Sequence, residues 1–503
     1  MMKAEQFHAL VQRLEQTARR RPGAYRRRVA FIALLGYGYV WLVLLGVVGA
    51  LALLTWLLTG ARAGGISLLV KVAIPLVVLA GAILRAMWVR FDAPSGLRLV
   101  PTQTPAVFGL VHDLATRLRT PRFHEILITF EFNAAVVQTP RLGFLGWYRN
   151  SLLLGLPLLE AMSPDEFRAV LAHEMGHLSR QHGRFGAWIY RTRALWIRLT
   201  ERLESQQHWG YHVFDWFLSR WAPYFSAYSF VLARQHEYEA DHFAAEVAGA
   251  GNLGRALHRL ELLGAYLDQR VWSEVARDAE HLAKPPQGVP ARLAAALRQA
   301  PADDDAREWL WAALARRTDL GDTHPSLTDR LAALALAPAT DGRHVTVPPG
   351  RTAAEEYLGP LRPEIESRLD DAWRRDIAPG WAQRHEAMAA ARRRLNELTE
   401  KARSGSLPVE QALERAALVL DLDGSTPAEP LLREIVDQVP GHAGANWALG
   451  GILLGRNDEE GVRLIERAIA ADDSARGAGY HLIRRFYERR GDEALARRYQ
   501  QAV

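Results

Sequence analysis

Between Val29 and Ala61 the chain carries no charged residue, and the run reads FIALLGYGYVWLVLLGVVGALALLTWLLTG. A helix crossing a bilayer core needs about 20 apolar residues, and this run exceeds that. A segment apolar on every side cannot sit on the surface of a water-soluble domain, so the rest of the fold has to be arranged around a membrane helix. A signal-peptide core takes only about 7 to 15 apolar residues, and no small-residue cleavage site punctuates the run, so it is expected to stay in the mature chain. A second run, Ile66 to Val89, is interrupted by Lys71 and Arg85. Each lies close enough to an end for its side chain to snorkel to the interface. The two runs are expected to form a transmembrane helical hairpin, with spans at 30–59 and 66–89.

Arg19, Arg20, Arg21, Arg26, Arg27 and Arg28 precede the first span, Arg62 alone lies in the connection, and Arg90 and Arg98 follow the second. This bias places the N-terminus and everything after residue 90 in the cytoplasm, as expected of a multi-pass protein of a bacterial inner membrane. Were 66–89 a buried soluble helix instead, the large C-terminal part would lie on the opposite side. The net charge is a modest +6, and of the 62 basic residues only Lys3, Lys71, Lys284 and Lys401 are lysine. That bias reflects a GC-rich genome better than a nucleic-acid role, so no nucleic-acid partner is expected. There is no cysteine, which excludes disulfides and thiolate metal sites and leaves any metal to His, Asp or Glu.

Residues 97–160 mix short apolar runs with turn signals. LRLV, EILITF, NAAVVQT and SLLLGLP read as strands, and Pro105 to Leu118 as a helix covering a small sheet. From Ser163 onward the spacing is almost wholly helical, with a long charged helix expected from about Trp381 to Ala402, before the linker SGSLP. Beyond it, residues 457–472 and 491–503 superpose at a spacing of 33 to 34, with Gly461 opposite Ala494 and Ala468 opposite Ala502. Small residues at such offsets let paired helices approach closely, and the period resembles the roughly 34-residue tetratricopeptide repeat. Two readings of this tail stay open: repeats that bind partners, or a bundle that caps the rest of the chain. The fold class expected is mainly α with a small β-sheet.

The chemistry is concentrated in SPDEFRAVLAHEMGHLSRQHG. Ser163 stands as N-cap, Pro164 at the first helical position, and Glu166 completes a capping box. At about 100° per residue His173 and His177 lie roughly 40° apart on one face, so both imidazoles can reach one metal ion. Glu174, offset by one residue, is placed to take a proton from water beside that metal without occupying a ligand position. Two neutral nitrogens and a neighbouring carboxylate base are what zinc hydrolysis needs. The short pattern also arises by chance, so the third ligand decides. His182 lies beside Gly183 without the spacing of a three-histidine site and reads better as a surface histidine at a helix end.

A better source is VLARQHEYEADHFAAEVAG, residues 231–249. Glu237, Ala240, Asp241, Ala244 and Ala245 share one helical face, which is small and apolar apart from the two acids. Two carboxylates on a packing face need cations or donors. Zinc held by His173 and His177 would satisfy Glu237, while Asp241 could orient a ligating imidazole. An internal pair with a residue such as Arg234 is the alternative.

With both motifs in view, residues 97–335 resemble the gluzincin family that includes HtpX and the CAAX prenyl endopeptidases. The shared stretches are NAAVVQTP, NSLLLGLPLLEAMSPDEFRAVLAHEMGHLSRQHG, RQHEYEAD and THPSLTDRLAAL. The resemblance implies an α+β gluzincin catalytic domain with one Zn2+ per chain, held by His173, His177 and Glu237, and with Glu174 as catalytic base. It further implies a supporting role for Asp241, and places the family's downstream His-Pro and Arg at His324 and Arg330. His324 is expected to stabilise the transition-state oxyanion and Arg330 to orient its neighbours. The substrate is expected to lie along a sheet edge near Phe132 to Val137, with Asn133 and Ala134 nearest the metal. The domains expected are thus the N-terminus and hairpin at 1–95, the metallopeptidase domain at 96–340, a helical extension at 341–404 and tetratricopeptide-like repeats at 405–503.

The sequence departs from that family between its zinc motifs. Residues 184–232 carry five tryptophans interspersed with arginines and no uncharged run long enough to span a membrane. That argues against a closed intramembrane chamber and so against prenyl-protein processing. It leaves open helices lying at the headgroups or tryptophans packed on the catalytic core. The function expected is a membrane-anchored zinc endopeptidase acting on proteins or peptides, membrane proteins among them. The competing class is a helical-repeat adaptor or chaperone-like scaffold with a structural or silent zinc site, and such a module would have no use for Glu174.

Overall fold

A computed structural model describes residues 4–59, 71–81, 83, 93–140, 148–178, 185–186, 188–189, 192, 196, 210–299, 301, 303–316, 318, 324–338 and 349–501. The chain divides into two compact units, residues 1–271 with 288–372, and residues 272–287 with 373–503.

In the first unit an amphipathic helix α1 (Ala4–Arg20) leads into α2 (Pro22–Thr59). At about 1.5 Å per residue α2 is roughly 57 Å long, and it is the one described helix long and apolar enough to cross a membrane. Phe31, Leu34, Leu42, Leu45 and Trp56 are exposed along it, as expected where lipid rather than water is the solvent. Of the second expected span, the helix α3 (Lys71–Gly81) is described; most of the remainder lies outside the described residues. Leu79 and Ile83 are buried in the same apolar cluster as α2.

The sheet has four strands in the order β1-β2-β4-β3: β1 (Leu97–Arg98), β2 (Glu125–Thr129), β3 (Ala134–Pro140) and β4 (Tyr148–Gly155). The apolar run of β4 lies at the inside of the sheet, parallel to β2 with Leu153 opposite Leu127, and antiparallel to β3 with Leu154 opposite Ala134. Such two-sided burial is what a continuous Leu-rich strand requires. β3 is therefore an edge. The expected helix α4 (Pro105–Leu118) buries Val107, Leu110, Val111 and Leu114.

Next come α5 (Pro164–Gly176), α6 (Gly210–Ala248) and α7 (Ala250–Tyr266). The capping box forms as the sequence predicts: the Glu166 amide donates to Ser163 Oγ at 3.3 Å, and the Ser163 amide donates to Glu166 Oε2 at 3.0 Å. α5 and α6 meet at Gly176, where an added Cβ would come within 3.2 Å of Ala240 Cα.

The described tryptophans of 184–232 divide between a buried cluster and the surface. Trp196 and Trp221 are buried against α2, where Gly36 makes room: a Cβ there would stand 2.6 Å from Trp221 and 2.8 Å from Trp196 Nε1. The Trp221 indole donates to the Ile32 carbonyl at 2.8 Å, and Tyr39 stacks on Phe217. Trp216 is exposed.

The long charged helix begins earlier than its sequence suggests. Helix α9 runs Arg362–Ser404, after a short α8 (Leu327–Ala333), and continues through Pro379. The proline removes one backbone donor, and contacts beyond it hold that part of the helix in place. Within the second unit, Trp381 donates to the Leu282 carbonyl at 2.8 Å and Arg392 to Glu280 at 2.8 Å. The helices α10 (Val409–Asp423), α11 (Ser425–Gln438), α12 (Ala443–Gly455), α13 (Glu460–Ala471), α14 (Arg476–Arg489) and α15 (Glu493–Gln501) follow. Gly461 does serve a close approach, its partner being Gly450 of α12, whose carbonyl oxygen would lie 2.7 Å from an added Cβ.

Candidate metal centre

α5 ends in the turn that bears the candidate site. Its last two turns carry His173 and Glu174, and His177 is its C-cap. Glu237 projects from α6 between the two imidazoles, with Oε2 3.6 Å from His173 Nε2 and Oε1 3.5 Å from His177 Nε2. One ligand atom from each of the three lies within 4.8 Å of the others. Two imidazole nitrogens and one carboxylate oxygen converging at this distance suit Zn2+ and leave a position open for water or substrate. The donor set thus fits a zinc ion.

A second layer of contacts fixes these three side chains. His173 Nδ1 donates to Asp241 Oδ1 at 2.8 Å, which turns Nε2 toward Glu237. Asp241 is 1% exposed, and so needs its own compensation. Arg330 of α8 supplies it as a fork, with Nη2 2.6 Å from Oδ1 and Nε 2.9 Å from Oδ2. Arg330 Nη2 also lies 3.3 Å from His173 Nδ1. His324, exposed, donates through Nδ1 to Glu237 Oε2 at 2.8 Å. It thus touches the carboxylate between the two imidazoles. Arg234, the alternative partner weighed for Glu237, pairs instead with Glu15 at 2.5 Å.

The electrostatics follow from these neighbours. Burial acts to lower His173, but hydrogen bonds to Asp241 and Glu237 outweigh it and raise the imidazole to about 9. Burial, reinforced by the His173 charge, pushes His177 down to about 4. Against its own burial, hydrogen bonds from His173 and His324 hold the Glu237 carboxyl well below the usual range. Burial raises Glu174, opposed by the cations His173, His324 and Arg330. A carboxylate lifted toward neutrality suits a general base better than an ordinary surface acid.

Asn133 and Ala134 sit where β3 begins at the sheet edge. The Asn133 carbonyl accepts from the Gly155 amide at 2.8 Å, and Ala134 is buried opposite Leu154. β3 packs on α5. What sequence reasoning missed is the link between Arg330 and Asp241 and that between His324 and Glu237. The signal available was two unpaired acids on one face of α6 and two basic side chains in THPSLTDRL, and nothing local says which pairs with which.

Residues 130–337 match the model of Peptidase family M48, a stretch that encloses every site residue named above. The chain is similar to the Protease HtpX of Stutzerimonas stutzeri, 28% identical over 204 residues that cover 38% of this chain and 60% of that protein. It is likewise similar to the Protease HtpX of Pseudomonas syringae pv. syringae, 30% identical over 130 residues covering 23% of this chain and 44% of that one. A Protease HtpX homolog 2 of Sulfurisphaera tokodaii is 34% identical over 74 residues, 14% of this chain and 21% of that one. The chain thus spans 60% or less of the length of these relatives.

Proposed function

We propose that residues 130–337, which match the model of Peptidase family M48, form an HtpX-like metallopeptidase domain, and that the protein is a membrane-anchored zinc endopeptidase. The observation that carries this reading is the convergence of His173, His177 and Glu237 with Glu174 one residue along the same helix. When bound, zinc supplies Lewis-acid polarisation of the scissile carbonyl and acidifies water beside it. Glu174 takes the proton of the attacking water and passes it to the departing amine as the C–N bond breaks. Asp241, itself held by Arg330, keeps His173 in the tautomer that presents Nε2 to the metal. His324 stands ready to leave Glu237 and donate to the oxygen on which charge develops.

The substrate adds as an extended strand to the outer side of β3, the edge strand of the sheet among the described residues, beginning at Asn133 and Ala134. We favour damaged or misassembled membrane proteins as substrates, because the helix carrying Glu237 packs on the apolar helix α2. On this reading the chain spans the inner membrane as a hairpin and keeps its catalytic and C-terminal parts in the cytoplasm. The test is zinc content together with casein cleavage by the detergent-solubilised protein. Glu174→Gln should keep zinc and lose about 10²- to 10⁴-fold in rate, whereas His177→Ala should lose both. A Glu174→Gln protein that still cleaves at the parent rate would end the peptidase reading.

A further inference from the structure

The helix that supplies Glu237 is held from behind by the N-terminal segment. Along α6, Trp221, Phe225, Tyr228, Leu232 and Glu239 fall on one stripe of 3.6-residue periodicity. Trp221 meets Ile32 and Gly36 of α2, and the Tyr25 hydroxyl donates to the Tyr228 carbonyl at 2.6 Å while the two rings stack. At the catalytic end of the stripe Arg26 pairs with Glu239 at 2.8 Å. One turn before Glu237, Arg234 pairs with Glu15 of α1. The two ion pairs, one from each N-terminal helix, therefore straddle Glu237 in sequence, at positions 234 and 239.

We propose that α1 and the first turns of α2 form a brace that sets the rotation of α6, with Glu15 and Arg26 as positioning residues for Glu237. The inference rests on Glu237 being a metal ligand. Partly exposed ion pairs add little to global stability, so their weight must lie in geometry. A side-chain tip about 6 Å from a helix axis moves roughly 1 Å when the helix turns by about 10°, and a site tolerates only about 0.5 Å of such error. Apolar packing of Trp221 and Phe225 against α2 resists separation of the helices but not a small rotation. Directional pairs at 234 and 239 resist rotation in both senses. In consequence the membrane helix and the metal centre behave as one mechanical element.

The test uses the full chain in detergent micelles, comparing the parent with Glu15→Ala, Arg26→Ala, and the reciprocal pair Arg26→Glu with Glu239→Arg. Amide hydrogen exchange of residues 233–240 is read in the metal-free protein, with zinc release to a chelator and kcat and KM on casein read in the loaded protein. Both alanine variants should speed exchange in that segment and zinc release by about tenfold, the size expected when support behind a ligand is lost. Their kcat should fall with KM unchanged, and the reciprocal pair should lose much less than Arg26→Ala does. Unchanged local exchange and zinc release, a loss in the reciprocal pair as large as that of Arg26→Ala, or acceleration spread evenly over the whole chain would each overturn the brace. A parent that binds no zinc yet shows the local exchange response would instead overturn the metal reading and leave the brace standing.

Discussion

At the scale of single residues, His173 shows how the site reconciles a buried imidazole with two carboxylates. Its raised value, about 9, means the metal-free protein holds a proton there at neutral pH, while His177 at about 4 holds none. Stability from the His173 proton is complete below the ordinary value of 6.5 and is lost as pH rises through about 9. Zinc runs the other way, because it competes with that proton for Nε2. Binding near neutral pH should therefore release about one proton from the protein ligands, measurable by calorimetry in buffers of different ionisation enthalpy. Release of no proton would show that His173 is already neutral in the metal-free site. Arg330→Lys replaces a two-armed fork on Asp241 by a single charge. Zinc affinity should drop by about 10- to 100-fold, and an unaltered affinity would show that Asp241 orients His173 unaided. Legibility divides at this scale. The spacing of His173, Glu174 and His177 and the helical face shared by Glu237 and Asp241 could be read directly, because one helix fixes each set. Which cation answers which acid could not, since Arg330 lies 89 residues from Asp241.

At the scale of elements, the meeting of His173, His177 and Glu237 depends on how closely α5 approaches α6. Gly176 permits that approach, its backbone lying against Ala240, and the sequence offers this only as one more small residue in HEMGH. Gly176→Val should force the helices apart, destabilise the protein by about 1–3 kcal/mol and weaken zinc binding in the same variant. Ser163→Ala removes the cap at the far end of α5 and should lower stability by about 1 kcal/mol with zinc affinity unchanged. Denaturant melts and zinc titrations of the two variants separate a general loss of helix stability from a loss of interhelix distance. Equal effects on zinc would refute the assignment of the Gly176 contact. The capping box was readable because its partners are three residues apart, as was the short strand-helix alternation of 97–160. The course of α9 through Pro379 was not, because its support comes from Leu282 and Glu280, about a hundred residues upstream.

For the whole molecule, the informative fact is where the described aromatic side chains of 184–232 go. Read alone, a stretch rich in Trp and Arg suits a helix at the headgroups as well as one packed inside, and only the pairing of α6 with α2, nearly 190 residues apart, distinguishes them. Phe214, Trp221, Phe225 and Phe230 are buried together with Tyr25, Val29, Ala33 and Val40. Removing residues 1–94 would expose that face, and each large apolar side chain returned to water costs about 1.5–3 kcal/mol. Four such residues approach the net stability of an ordinary domain, about 5–15 kcal/mol. A chain beginning at residue 95 should therefore self-associate without detergent, melt below the full chain in detergent, and bind liposomes through a surface that the intact protein keeps covered. Liposome binding by the shortened chain would then report a stripped interface, and headgroup affinity has to be measured on the intact protein. Sedimentation with and without detergent decides the matter. A shortened chain that stays monomeric in water and melts with the full chain would show that α2 is not part of the fold of the residues that follow it.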